Sequence, residues 1–167
     1  ADLGSQVVIL AGIAGLVYYR QGEYAKAIEV LEAGVATPID AASLTFRMYY
    51  LAATREALGE HEEAIALYDR AAATGATSPF IHRAKWWAAR LTEDVSPPFV
   101  ASVRYLAIVT EGPAGEFTEE AAFRAGYTLY RSAAPANAIT TWDAVGATTD
   151  GDVRAAFEVT VRSAPFP

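Results

Sequence analysis

The chain has 167 residues, 53% of them hydrophobic and 20% charged, so it holds enough material for a packed core and is too apolar for a disordered segment. Asp and Glu number 20 against 13 Lys and Arg, and the resulting charge of −7 and pI near 4.8 argue against a general attraction to nucleic acid or anionic lipid. The absence of cysteine removes disulfide frameworks, thiolate metal sites and cysteine nucleophiles, and leaves the compartment open between cytoplasm and cell envelope.

The run 7–17 (VVILAGIAGLV) is the most apolar stretch. At eleven residues it is too short to span a bilayer, and no basic stretch precedes it, so it reads as a buried helix rather than a signal core or membrane segment. The helix containing it is expected over 5–20. Gly22 marks a turn, and a second helix follows over 23–36. Thr37-Pro38-Ile39-Asp40 separates that helix from one over 41–57, and Gly59 marks the turn into a helix over 60–73. Beyond Thr74-Gly75-Ala76-Thr77, helices over 79–92 and 97–110 open on Ser78-Pro79 and Ser96-Pro97, each a serine cap with proline in the first turn. Thr118-Glu119-Glu120 opens a helix over 118–131 with acids at its positive end, and another covers 135–145. A last helix is expected over 152–163, with Val153, Phe157 and Val161 on one stripe and Arg154, Glu158 and Arg162 on another. No stretch alternates as a strand does, so the fold class is all-α.

A step of 37 residues organises these helices. Ala27, Ala64, Ala101 and Ala138 fall on it. So do the small residues Gly15, Ala52, Ala89 and Gly126, and the bulky Leu31, Tyr68, Tyr105 and Trp142. A period of this length signals stacked helix pairs. Small residues recur where helix backbones cross closely, and bulky ones fill the space towards the neighbouring pair.

The first repeat, with Gly15, Tyr18, Gly22, Tyr24, Ala27 and Leu31, resembles the tetratricopeptide repeat. The second carries Leu51, Ala52, Gly59, Ala64, Tyr68 and Ala71, and the fourth carries Gly126, Tyr127, Ala138 and Trp142. The third matches least, through Ala89, Ala101 and Tyr105. The family's usual repeat is 34 residues, so these are about three longer. The resemblance implies a right-handed α-solenoid of about four helix-turn-helix repeats, near 5–37, 41–74, 78–111 and 117–148. They would form a single domain over 1–167, closed by a capping helix over 150–163.

In that family the first helix of each repeat lines the concave face. The resemblance therefore implies a groove built from Tyr19 and Arg20 in the first repeat and Phe46 and Tyr49 in the second. Arg83, Trp86 and Arg90 come from the third, and Phe123, Tyr127, Tyr130 and Arg131 from the fourth. Aromatic rings and arginines are the side chains most enriched at binding hot spots. The implied function is a non-catalytic scaffold that binds a protein or peptide, or a glycan strand. A family subset that grips a peptide's terminal carboxylate uses lysine and asparagine positions which this chain does not match. The fourth repeat, Ala122-Phe123-Arg124-Ala125-Gly126-Tyr127-Thr128-Leu129-Tyr130-Arg131 with Pro135 and Trp142, is also similar to repeats in the helical superhelix of bacterial soluble lytic transglycosylases. That similarity implies the alternative, an accessory helical module of a cell-envelope enzyme that positions peptidoglycan glycan.

Chemistry is sparse along the chain. His61 begins a His-Glu-Glu run with no second histidine to complete a zinc site, and His82 neighbours Arg83 and Lys85. The pairs Glu62-Glu63, Glu93-Asp94 and Glu119-Glu120 fall at helix ends and turns, where solvation and helix dipoles account for them. No phosphate loop and no Gly-x-Ser-x-Gly elbow is present. No catalytic residue, metal or cofactor is expected.

Overall fold

A computed structural model of the protein describes residues 3–111, 115–132 and 135–146. Eight helices and no strand occur among the described residues: α1 (Leu3–Arg20), α2 (Tyr24–Ala36), α3 (Ala41–Ala57), α4 (His61–Ala72), α5 (Pro79–Val95), α6 (Pro98–Thr110), α7 (Thr118–Arg131) and α8 (Pro135–Gly146). The expected helix over 152–163 lies outside them. The chain divides into two compact units, Ala1–Leu91 and Thr92–Pro167.

In the first unit α1 packs on α2 and α3, α2 on α3, and α3 on α4. Two turns close these pairs in the same way. Glu23 N donates to Tyr18 O at 2.9 Å and Gly22 N to Tyr19 O at 3.0 Å; Glu60 N donates to Arg55 O at 3.0 Å and Gly59 N to Glu56 O at 2.9 Å. This double closure needs a left-handed residue two positions past the last helical one, and glycine supplies it, with φ of +76° at Gly22 and +79° at Gly59. The third helix has a capping box that was not anticipated. Asp40 Oδ1 accepts from Ser43 N at 2.6 Å, and Ser43 Oγ accepts from Asp40 N at 3.3 Å.

The 37-residue step is the grammar of the core. Ala27, Ala64, Ala101 and Ala138 are all fully buried. Leu31, Tyr68, Tyr105 and Trp142 are buried beside them. A methyl group on Gly15 would meet the Leu31 side chain at 2.5 Å, so the small and bulky positions of one repeat are direct complements.

Two local expectations change. α6 begins at Pro98 rather than 97, and Pro97 is its cap, with φ −57° and ψ 143° and no side-chain capping bond. A residue before proline is pushed out of the helical region, and Pro97 precedes Pro98. The apolar run 7–17 is helical but not buried throughout: Leu10, Ile13 and Val17 are 63%, 51% and 43% exposed. Their counterparts one step on include Arg47 and Thr54, at 1% and 0%, because α2 lies against α3. α1 has no helix pair ahead of it among the described residues. None of the described helices is long and apolar enough to cross a membrane.

Candidate functional site

The first unit holds a pocket of about 310 Å³ built by four helices. Tyr19 and Arg20 come from the last turn of α1, Tyr49, Tyr50 and Glu56 from α3, Tyr68 from α4 and Trp87 from α5, with Ala53 and Ala57 leaving space between them. The rings form a connected set. Tyr19 and Tyr50 centroids are 5.9 Å apart, and Tyr49 meets Tyr50 and Tyr68 edge-on at 5.2 and 5.4 Å. The Trp87 side chain favours the ionised form of the Tyr49 hydroxyl, against the larger effect of burial.

Among the described residues Glu56 is the only carboxylate lining this pocket. Its Oε2 accepts a 2.8 Å bond from Tyr68 Oη. Burial pushes the Glu56 pKa above the ordinary glutamate value, while the Tyr68 bond and the charges of His61 and Arg90 act in the opposite direction. Burial also pushes Tyr49 up to about 12 and raises Tyr68 and Tyr19, so these hydroxyls stay protonated and able to donate at neutral pH. The raised Glu56 pKa has a consequence for stability. Between the ordinary glutamate value and the folded one, the folded chain keeps a proton that the unfolded chain has lost, so stability falls as pH rises through that window. Glu56→Gln is expected to raise the unfolding midpoint at pH 7 and to flatten this fall. Thermal melts of both chains from pH 4 to pH 8 measure it, and a lower midpoint for the variant at pH 7 would contradict it.

The residues that the resemblance assigned to a groove have separate surroundings. Tyr19, Arg20 and Tyr49 line the pocket. Phe46 lies in the adjoining ring cluster, 4.7 Å from Tyr50 and 5.2 Å from Phe80, with the Arg83 guanidinium 5.9 Å from the Phe80 ring. Arg90 acts on Glu56 through its charge. Trp86 is buried at 8% exposure, and its neighbour Trp87 is the pocket residue. In the second unit Phe123 and Tyr127 stack at 5.4 Å and 19°, and Arg131 lies 6.0 Å from the Tyr127 ring. Tyr127 and Arg131 line a depression of about 180 Å³ with Glu93, Pro98 and Thr128. Tyr130 packs on the Leu129, Ala138 and Trp142 cluster, its hydroxyl buried without a partner among the described residues. Tyr50, Glu56, Tyr68 and Trp87 were not anticipated as site residues. Their signal was the step itself, since Glu56 and Tyr68 recur as Glu93 and Tyr105.

A larger depression of about 460 Å³ lies elsewhere in the first unit, floored by Val35, Leu51 and Leu67. Its Arg55 is bonded to Glu32 at 2.8 Å and to Glu60 at 2.7 Å, and Glu63 and Arg70 also line it.

A family model of the tetratricopeptide repeat matches residues 49–79. That segment is similar to a tetratricopeptide repeat. It runs from the second half of α3 through the Gly59 turn and α4, and six of the nine residues lining the pocket fall inside it. Neither the curated proteins nor the solved structures contain a match to the chain. Tetratricopeptide repeats as a family are protein-interaction scaffolds, which agrees with a site made of rings and hydroxyls. Among the described residues no group of three or more His, Cys, Asp or Glu side chains comes together.

Proposed function

We propose that this chain is a non-catalytic tetratricopeptide-like scaffold that binds a protein or peptide segment through its first helices. The observation that carries the reading is the pocket of α1, α3, α4 and α5, with five aromatic rings around one carboxylate, most of it inside the matched repeat. Tyr and Trp supply large, rigid contact area whose polar tips still hydrogen-bond, and they dominate binding energy where they are partly enclosed. The stacked Phe123 and Tyr127 with Arg131 give the second unit an aromatic and arginine surface of its own.

Selection of peptides from a displayed library on the full chain, followed by calorimetry, tests this. Tyr49→Ala and Trp87→Ala are each expected to weaken the selected peptide at least tenfold, about 1.4 kcal/mol, with the helical circular dichroism retained. Purified peptidoglycan glycan strands serve as the counter-ligand. Saturable glycan binding with no peptide selected, or unchanged peptide affinity in a folded double variant, would overturn the reading.

A further inference from the structure

Shape and aromaticity explain why the pocket would hold a peptide, but not why a carboxylate lines it. Burial disfavours the Glu56 charge, and among the described residues Glu56 forms no ion pair. The chain supplies its own comparison. One step of 37 residues on, Glu93 holds the same place on α5 and accepts the same kind of bond, from the Tyr105 hydroxyl. There a third group completes the set: Arg124 Nη1 stands 3.2 Å from Glu93 Oε1. The counterpart of Arg124 one step back is Trp87. The second unit therefore satisfies its glutamate with a guanidinium of its own, while the first unit puts an indole at that position. Both glutamates line an open space, of about 310 Å³ at Glu56 and about 180 Å³ at Glu93, but only Glu93 has a guanidinium paired with it there.

We propose that this pocket receives the guanidinium of an arginine side chain carried by the bound peptide, in the role that Arg124 plays beside Glu93. The inference rests on the peptide-binding reading and names its specificity. A guanidinium is planar, weakly hydrated and permanently charged, so it stacks on aromatic faces while donating to a carboxylate. Tyr19, Tyr49, Tyr50 and Trp87 offer the rings, and Glu56, held by Tyr68, offers the acceptor. The partial enclosure that penalises the lone carboxylate also strengthens its attraction for an entering cation. Arg20, exposed in the same pocket, opposes that cation, so the site favours a guanidinium that reaches past it to Glu56.

The test titrates the full chain with acetyl-Gly-Tyr-Arg-Tyr-Gly-amide and with its twin carrying citrulline, which keeps the shape and loses the charge. The arginine peptide is expected to bind at least ten times more tightly. Glu56→Gln should bring the two peptides to equal affinity. Trp87→Arg, which installs the counterpart of Arg124, should weaken the arginine peptide at least tenfold by filling the place from within. Arg20→Gln should leave the arginine peptide as tight or tighter. Equal binding of the two peptides by the unaltered chain, or a charge preference that survives Glu56→Gln, overturns the inference and leaves the peptide reading standing. Failure of the arginine peptide to bind at all also overturns it, and the peptide reading is then decided by the library selection.

Discussion

Tyr68→Ala is expected to destabilise the first unit by about 3–5 kcal/mol, the cost of removing a buried ring. Tyr68 is 1% exposed and shares a core cluster with Ala52, Ala64, Ala71, Ala84 and Ala88. Six of the eight other buried residues in that cluster are alanines, whose short side chains cannot swing inward, which leaves only Met48 and Leu91 long enough to fill part of the space. The same ring meets Tyr49 edge-on at 5.4 Å and holds Glu56, so the pocket should collapse with the core. Tyr68→Phe separates the two roles. It keeps the ring and removes only the hydroxyl, at about 1 kcal/mol. It should also move the Glu56 pKa further up, because the lost bond favoured the charged carboxylate. Urea denaturation followed by tyrosine and tryptophan fluorescence measures the first effect, and carboxyl NMR titration the second. A loss below about 1 kcal/mol for Tyr68→Ala would show that the slot is not a packing keystone.

Gly126→Ala is expected to break the packing of α7 against α8 at about 3 kcal/mol, the upper end of ordinary overpacking. A methyl group at Gly126 would lie 2.0 Å from Trp142 Nε1, 2.1 Å from Cε2 and 2.3 Å from Cδ1. The obstacle is a rigid indole, only 6% exposed and anchored by a 3.0 Å bond from Nε1 to Phe123 O, so it cannot yield by turning a flexible tip. The helices must separate instead, and hydrogen exchange should quicken across α7 and α8. The second repeat shows the remedy, because it places Ala52 and Tyr68 at the equivalent positions in one core cluster. Trp142→Tyr in the Gly126→Ala background should therefore recover most of the loss, a coupling that a double-mutant cycle reads directly. Strict additivity of the two substitutions would refute this pairing of small and bulky positions.

Much of the fold was legible because its causes are local or periodic. Gly22 and Gly59 had to end helices, since the left-handed turns they make suit no other residue as well. The recurring alanines, glycines and bulky residues marked close crossings before any contact was known. Arg47 was not legible. It is 1% exposed, donates from Nη1 to Gly34 O at 2.6 Å, and fits because Gly34 has no side chain: a methyl group there would sit 2.9 Å from Arg47 Cδ. Nothing in its sequence neighbourhood separates it from an arginine at the surface.

The pocket between α1, α3, α4 and α5 shows the same division more sharply. The residue types were readable, and Tyr19, Arg20 and Tyr49 were placed in the groove by the repeat frame. Trp86 and Trp87 are adjacent in sequence, yet about 100° apart around a helix, and the packing of Ala84, Ala88 and Leu91 into the α3 and α4 core turns Trp87 towards Glu56. The order of residues by itself determined where helices start, stop and repeat, because backbone conformation and a fixed period act along the chain. Only the tertiary structure decided which ring, which carboxylate and which arginine face one another, because the rotation of each helix about its axis is set by the neighbours it packs against.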